Sequence, residues 1–209
     1  MLAHFTTHMF RRSFTAAFTA LGGLCLVAAP LSAALATQSV RVRMDTSAGA
    51  IVIELAVKQA PITAANFLAY VDQKRFDGTR FYRAARVKGL KGAGFIQGGI
   101  QHSFTRMLPP IAHEPTSKTG LSHVTGTISM ARDEPGSAMG DFFIMASDSP
   151  SMNASRSDPG YAAFGRVVSG MPVVRKILAG ATIPNAGNGG MKNQMLADPV
   201  RIISARRVK

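Results

Sequence analysis

The 209-residue sequence has a single cysteine, Cys25, and no tryptophan. Cys25 lies within an apolar run near the N-terminus, so the chain beyond that run contains no thiol. No disulfide is therefore expected to stabilise the fold, and a hydrophobic core must do so alone. Internal repeats and low-complexity tracts are also lacking, which excludes solenoid, propeller and fibrous architectures.

The N-terminus has the pattern of a targeting segment. Arg11 and Arg12 precede an uncharged, mainly apolar run over residues 14–35, and residues 34–36 read Ala-Leu-Ala. A short apolar run behind basic residues and before small residues is typical of a secretory signal peptide. We therefore predict that residues 1–36 are cleaved and that the protein is periplasmic or secreted. A retained membrane anchor is the alternative, and the arginine pair also resembles a twin-arginine signal.

The remaining chain, residues 37–209, has the length of a single domain. The whole sequence carries 24 basic and 11 acidic residues, a formal charge of +13. The basic residues are scattered, and the densest run, residues 201–209, alternates with apolar residues as a strand does. This distribution predicts a solvated surface that favours acidic partners or anionic membrane faces. It argues against nucleic-acid binding, because basic arms for nucleic acid are usually blocks.

The rest of the sequence predicts many short strands and two helices. Residues 40–44 and 51–55 alternate as a hairpin does, and Pro61 begins an amphipathic pattern that predicts a helix to Gln73. A second helix is predicted over residues 171–178, and residues 181–199 read as a long surface loop. Short strands separated by turn residues favour a closed all-β barrel. The further strands are predicted around Arg83 and over residues 95–97, 127–131, 142–146, 162–168 and 200–205.

Five short motifs occur in a fixed order along the chain. They are Phe-Tyr-Arg at 81–83, Gly-Phe-Ile-Gln-Gly-Gly at 94–99, Ile-Ser-Met-Ala at 128–131, Asp-Phe-Phe-Ile at 141–144 and Phe-Gly-Arg-Val at 164–167. In order and spacing they resemble the cyclophilin family of peptidyl-prolyl cis-trans isomerases, from about Val40 to Val208. The resemblance implies an eight-stranded antiparallel β-barrel closed by two helices, with a substrate groove on its outer face. It also implies isomerisation of X-Pro bonds with no metal or cofactor.

The same resemblance implies the site residues. Arg83 matches the catalytic arginine, which donates a hydrogen bond to the prolyl nitrogen of the twisted amide, and Gln97 matches the glutamine beside it. Because successive strand residues point to opposite faces, Phe142 is predicted in the core and Phe143 in the groove. The edge at Ala131 is predicted to receive the substrate backbone by a contact similar to β-augmentation. The predicted substrate-binding residues are Phe95, Ala131, Arg132, Asp141, Phe143, Met152 and Tyr161.

Several positions depart from the family pattern. Residues 84–93 form a longer, basic and glycine-rich link, and Gly94 stands where the family keeps an aromatic pocket residue. Arg132 replaces an asparagine and Asp141 a glutamine, so the groove is expected to be more charged. These departures leave open a non-catalytic peptide-binding module or holdase on the same barrel, and the charge alone leaves open a protein that binds anionic polymers or membranes.

The expected partners are proline-containing segments of exported proteins, and the protein is expected to be a monomer without stable membrane insertion after cleavage. His102, His113 and His123 lie about ten residues apart. Because this spacing does not suit a metal site, we interpret them as solvated or structural histidines.

Overall fold

A computed structural model of the protein describes residues 39–101 and 103–208. The predicted signal peptide and His102 lie outside the described residues. The described residues form eight strands, which are β1 (Val40–Thr46), β2 (Gly49–Leu55), β3 (Arg80–Arg86), β4 (Gly94–Gly99), β5 (Thr127–Met130), β6 (Phe142–Met145), β7 (Ala163–Ser169) and β8 (Met195–Val208). They close into one antiparallel barrel in the order β1-β2-β7-β5-β6-β4-β3-β8, which confirms the predicted fold.

The described residues form three helices, one more than predicted: α1 (Pro61–Asp72), α2 (Thr116–Thr119) and α3 (Met171–Leu178). The short α2 has no apolar periodicity that could have revealed it. The final strand also differs from the prediction, since β8 begins at Met195 rather than at residue 200. The prediction placed residues 181–199 in a loop because they are rich in glycine, proline and asparagine, and a proline lacks the N–H of a regular ladder. Pro199 is accommodated because pairing with β3 is interrupted, with Phe81 opposite Val200 but Arg83 opposite Met195.

The barrel interior is filled by aromatic rings. Phe142, on β6, makes edge-to-face contacts with Phe67, Phe76 and Phe81, at centroid distances of 5.5, 5.4 and 5.7 Å. Phe67 comes from α1, which closes the end of the barrel where β2 finishes and β3 begins. At the opposite end α3 buries Val174, Ile177 and Leu178 in the same core. The predicted alternation at 142–143 is confirmed, because Phe142 faces inward.

A distant carboxylate caps the N-terminus of α1. Ala60 occupies the N-cap position and has no side chain to accept a hydrogen bond. Glu114, which is 3% exposed, supplies the acceptors instead. Its oxygens accept from the backbone N–H groups of Ile62 (3.2 Å) and Thr63 (2.7 Å), and from the Thr63 hydroxyl (2.7 Å). The negative charge also lies at the positive end of the helix dipole.

Replacing Glu114 by alanine is expected to lower the free energy of unfolding by about 2–3 kcal/mol, since it removes three hydrogen bonds to a charged group and leaves buried donors unpaired. Urea denaturation of the two proteins measures the difference. The control is Glu134→Ala, at an exposed loop position. Equal midpoints for Glu114→Ala and the control would show that the cap contributes nothing.

The pairing register brings four side chains into one line across the outer wall. Arg83 on β3 pairs with Gln97 on β4, Gln97 pairs with Phe143 on β6, and Phe143 pairs with Ser129 on β5. Residues directly opposite each other in a sheet share a face. Residues separated by up to 60 positions in the sequence therefore form a single row, and a pocket lies over this row.

Candidate active site

A pocket of about 480 Å³ opens on the outer wall of the barrel. All nine residues predicted as site residues line it: Arg83, Phe95, Gln97, Ala131, Arg132, Asp141, Phe143, Met152 and Tyr161. The sequence prediction missed eight further lining residues, which are Tyr82, Gln101, Asp133, Ser137, Met139, Gly190, Met191 and Met195.

The Arg83 guanidinium is fixed from three sides. Its Nη1 donates to Gln97 Oε1 at 2.8 Å, its Nε to Gln194 Oε1 at 2.8 Å and its Nη2 to the Gly190 carbonyl at 3.2 Å. The guanidinium carbon also lies 5.1 Å from the centroid of the Phe95 ring. Among the described residues, these partners accept from three of the five N–H groups of the guanidinium, and two remain for a ligand.

Arg83 is a partly buried cation with neutral partners. None of the ion pairs among the described residues includes it. Burial lowers the pKa of the guanidinium from its usual value, although an arginine remains charged at neutral pH. A desolvated, uncompensated positive charge interacts strongly with a lone pair placed beside it.

A chain of hydrogen bonds fixes the orientation of Gln97. Its Nε2 donates to the Tyr82 hydroxyl at 2.8 Å, and that hydroxyl donates to Asp141 Oδ1 at 3.1 Å. The backbone N–H of Gln101 donates to the same Asp141 oxygen at 2.9 Å. Burial and the nearby Asp141 carboxylate raise the pKa of Tyr82, which keeps its hydroxyl protonated as a donor. With its amide nitrogen held by Tyr82, Gln97 presents its oxygen to Arg83.

A β-bulge explains why sequence alternation missed Tyr82. On β3, Phe81 pairs with Gly98 and Arg83 with Gln97, so Tyr82 is an extra residue in the ladder. A bulge re-aims side chains and is common beside functional sites. Here it allows two consecutive residues, Tyr82 and Arg83, to line the same pocket. Strict alternation would have placed Tyr82 inside the barrel.

Aromatic rings form the apolar wall of the pocket. Phe143 contacts Phe95, with centroids 5.1 Å apart, and meets Tyr161 edge to face at 5.3 Å. Met152, from a short 3₁₀ turn, completes this wall. Phe143 faces outward as predicted, yet only 2% of its surface is exposed because these neighbours enclose it. The wall lies beside Arg83, so one ligand can contact an apolar surface and a cation together.

Two side chains give the pocket the charged character expected from its sequence departures. The Arg132 guanidinium lies 5.0 Å from the Tyr161 ring centroid and donates to the Gly160 carbonyl at 2.6 Å. Asp141 is 8% exposed, and both Asp141 and Ala131 line the pocket. The Ala131 N–H donates to the Asp141 carbonyl at 2.9 Å. That N–H is therefore used within the protein, and the predicted contact of the substrate backbone with the edge at Ala131 stays a prediction.

Gly94 has a backbone role rather than a missing pocket side chain. Its φ is +134°, and a Cβ there would lie 2.0 Å from the Ala85 carbonyl oxygen. No L-residue fits this position without moving the β3–β4 hairpin. Gly94 does not line the pocket, whereas its neighbour Phe95 does. The sequence has Gly94 where the family keeps an aromatic pocket residue, and the structure gives this glycine a backbone position outside the pocket lining.

The described histidines are held by protein atoms. His123 is 1% exposed, and its ring nitrogens lie 2.7 Å from Asn153 Oδ1 and 2.9 Å from Ser129 Oγ. Burial lowers its pKa, so the ring is neutral at neutral pH. The ring stacks behind Phe143, with centroids 5.9 Å apart. His113 Nε2 lies 3.0 Å from the Pro159 carbonyl. These contacts suit the structural interpretation of both residues.

The loop before β8 forms one rim of the pocket. Gly190 and Met191 line it, and Gln194 bonds to Arg83. Asn185 and Asn193 adopt positive φ, and the Asn193 side chain accepts the Asn185 N–H at 2.7 Å, which folds the loop back on itself. The sequence predicted a surface loop here, and no motif indicated that it reaches a residue 111 positions away.

Replacing Tyr82 by phenylalanine is expected to lower kcat/KM for the X-Pro isomerisation expected from the sequence by about tenfold. The reason is that Gln97 loses the acceptor that orients it. In an Arg83→Ala background the same change should cost little, since a positioning residue acts only through its partner. Tyr70→Phe is the control, because its hydroxyl bonds to the Leu108 N–H in the core. An equal loss with and without Arg83 would show that Tyr82 acts independently.

Comparison with protein families matches residues 41–207 to the model described as cyclophilin type peptidyl-prolyl cis-trans isomerase/CLD. The chain is 40% identical over 187 residues to a peptidyl-prolyl cis-trans isomerase of Acinetobacter baylyi, covering 89% of this chain and 92% of that protein. It is 35% identical over 167 residues to peptidyl-prolyl cis-trans isomerase B of Escherichia coli, covering 78% and 96%.

A solved structure has the same fold. It is a cyclophilin type peptidyl-prolyl cis-trans isomerase of Cryptosporidium parvum, crystallised in the presence of the dipeptide Ala-Pro. The TM-score is 0.64 at 23% identity, covering 81% of this chain and 99% of that chain. At this identity the likeness concerns the fold alone.

Proposed function

The chain belongs to the cyclophilin family of peptidyl-prolyl cis-trans isomerases, and we propose that it accelerates X-Pro isomerisation during the folding of exported proteins. The observation that carries the chemistry is the fixed Arg83 guanidinium beside the apolar wall of Phe95 and Phe143. A proline ring fits against such a wall, and its nitrogen then lies near the cation.

The reaction needs no bond to a nucleophile. Rotation about an X-Pro bond is slow because it breaks amide resonance, a barrier of about 20 kcal/mol. In the twisted amide the nitrogen becomes pyramidal and gains a lone pair. We propose that an Arg83 N–H donates to that lone pair, which the planar ground state offers poorly. The bond is then stronger in the transition state than in the ground state, which is the condition for catalysis.

The other proposed residues hold the substrate. Gln97 fixes Arg83, while Phe143, Phe95 and Met152 contact the proline ring. Ala131, Arg132, Asp141 and Tyr161 are proposed to bind the flanking peptide. The pocket lining includes both Arg132 and Asp141, so the flanking peptide would lie near groups of both charges.

Export is supported by the sequence pattern of residues 1–36, with its arginine pair, apolar run and small-residue site. Cleavage after residue 36 would leave a mature chain without cysteine, which suits an oxidising compartment because no thiol remains to be oxidised there. We propose that the mature protein is a periplasmic or secreted monomer whose substrates are X-Pro segments of exported chains.

The test combines two measurements. The protein is expressed with its own N-terminus, and the mass of the product in the periplasmic and cytoplasmic fractions is determined. The recovered protein is then added to an exported protein whose refolding is limited by X-Pro isomerisation. We expect a processed periplasmic form that speeds refolding, with Arg83→Ala inactive.

An unprocessed product in the cytoplasmic fraction would overturn the proposal of export but leave the proposal of isomerase activity standing. Binding of the unfolded chain with unchanged refolding rates would favour the holdase predicted as the alternative. Sedimentation of the processed form measures whether it is a monomer.

A further inference from the structure

The hairpin that joins β3 to β4 projects two apolar side chains into solvent. We call residues 87–92 the hairpin tip. Val87 is 47% exposed and Leu90 61% exposed, whereas most large apolar residues of the barrel are buried. No residue of the tip lines the pocket. The tip is thus the part of the predicted 84–93 link that neither the core nor the site explains.

Backbone hydrogen bonds give the tip a defined shape. The Val87 N–H donates to Ala93 O at 3.0 Å, the Leu90 N–H to Val87 O at 3.2 Å and the Ala93 N–H to Leu90 O at 3.2 Å. Gly89 and Gly92 supply the positive φ values, 82° and 76°, that two successive turns require. The apolar side chains are therefore presented on a structured turn rather than on a flexible tail.

Lysines alternate with these apolar residues. Lys88 and Lys91 are both exposed. The sequence contains no aspartate or glutamate between Asp77 and Glu114. Every charged group on β3, β4 and the hairpin tip is consequently a cation, so the tip attracts anions at any physiological pH.

The base of the tip is joined to the C-terminus of α3. Arg86 Nε donates to the Leu178 carbonyl at 2.8 Å, and Arg86 Nη2 donates to the Gly180 carbonyl. The last turn of α3 carries the exposed residues Arg175 and Lys176. The apolar tip therefore projects from an end of the barrel that bears further cations, on an element held by side-chain contacts.

We propose that the hairpin tip docks on the surface of a bilayer that contains anionic phospholipid. Val87 and Leu90 enter the interfacial layer while Lys88 and Lys91 pair with headgroup phosphates. Interfacial binding combines apolar burial with attraction to anionic lipid, and neither alone is strong. Single exposed apolar residues are ordinary on protein surfaces. Two exposed apolar residues on one projecting turn, each next to a lysine, fit a bilayer surface, where charged headgroups lie above apolar chains. They fit such a surface better than they fit an acidic face of a protein.

This docking is peripheral and leaves the pocket accessible. The structure contains no helix, within residues 39–101 and 103–208, that is long and apolar enough to cross a membrane. The hairpin tip lies at the barrel end closed by α3, whereas the pocket opens on the wall. The inference does not rest on the proposed function.

The absence of tryptophan allows a site-specific test. Leu90→Trp introduces one fluorophore at the tip. Ile203→Trp introduces one on β8, where the native isoleucine is likewise exposed, at 48%. Each full-length gene is expressed with its own N-terminus, and only protein of the same measured mass is compared. Vesicles of phosphatidylcholine with about 30% of the anionic lipid phosphatidylglycerol are compared with vesicles of phosphatidylcholine alone.

We expect the emission of Leu90→Trp to shift to the blue with the anionic vesicles and to be quenched by brominated acyl chains, while Ile203→Trp stays unchanged. Adding Lys88→Gln and Lys91→Gln should weaken the binding about 30-fold, because each surface lysine contributes about fivefold. Lys58→Gln with Lys118→Gln makes the same change in net charge at two exposed positions elsewhere and is the matched control.

An unshifted Leu90→Trp spectrum with anionic vesicles would overturn the proposal. So would an equal shift of Ile203→Trp, or an equal loss from the Lys58 and Lys118 pair, because either would show non-specific attraction. A shift with poly-L-glutamate but not with vesicles would assign the tip to an acidic polypeptide instead. Isomerase activity should be unchanged in every tip variant, so failure here is separate from failure of the proposed catalytic role.

Discussion

Replacing Arg83 by alanine is expected to lower kcat/KM for an Ala-Pro peptide by about 100-fold to 1000-fold, the usual effect of removing one preorganised donor to a transition state. The structure gives the reason for so large an effect. Arg83 is held by Gln97, Gln194 and Gly190 before any substrate arrives, so no free energy is needed to orient it during the reaction. Stability should fall less than for a core residue, because the three lost hydrogen bonds have neutral partners beside a pocket that water can enter.

Two further variants separate charge from geometry. Arg83→Lys keeps the charge but cannot bond to Gln97 and Gln194 together, so it should remain at least about tenfold below the wild type. Arg80→Ala removes an exposed arginine three residues earlier on the same strand and should retain full activity. A protease-coupled isomerisation assay on the three variants is the measurement. Near-normal activity of Arg83→Ala would show that the pocket binds peptides without using this cation in catalysis.

The row of Arg83, Gln97 and Phe143 could be predicted because its residues lie within the motifs that carry the resemblance to the cyclophilin family. Strand periodicity determines which residues point outward, and motifs near the middle of each strand tolerate errors of one or two residues at the strand ends. The barrel followed from the same short strands. These features are repeated in every strand, so one irregularity does not obscure them.

The missed features depend on how segments of the chain pair and pack, which local sequence patterns do not show. Tyr82 reaches the pocket through a bulge, which no alternation pattern reveals. Gln194 reaches Arg83 from a loop 111 residues away, and Glu114 caps a helix that begins more than 50 residues earlier. A polar residue in a loop has the same local sequence signature whether it is solvated or satisfies a distant backbone donor. Only the assembled fold distinguishes the two.

The second large effect concerns the two adjacent phenylalanines on β6. Phe142→Ala is expected to lower the free energy of unfolding by about 3–5 kcal/mol, because it opens a cavity among the core rings of Phe67, Phe76 and Phe81. Its activity should be lost only as far as the protein unfolds. Residual activity per folded molecule, measured well below the melting temperature, should stay close to that of the wild type.

Phe143→Ala should show the opposite pattern. Phe143 is as enclosed as a core residue, at 2% exposed, but the space left by its ring would join the pocket of about 480 Å³, which water can enter. The loss of stability should therefore be smaller than for Phe142→Ala, since a closed cavity is the costly part of such changes. Activity should fall at least about tenfold, because the proline ring loses its main apolar contact. Thermal melts and isomerisation assays on both variants measure the two patterns. If Phe142→Ala proved stable and inactive while Phe143→Ala unfolded, then the face of β6 that contacts the substrate would be the one assigned here to the core.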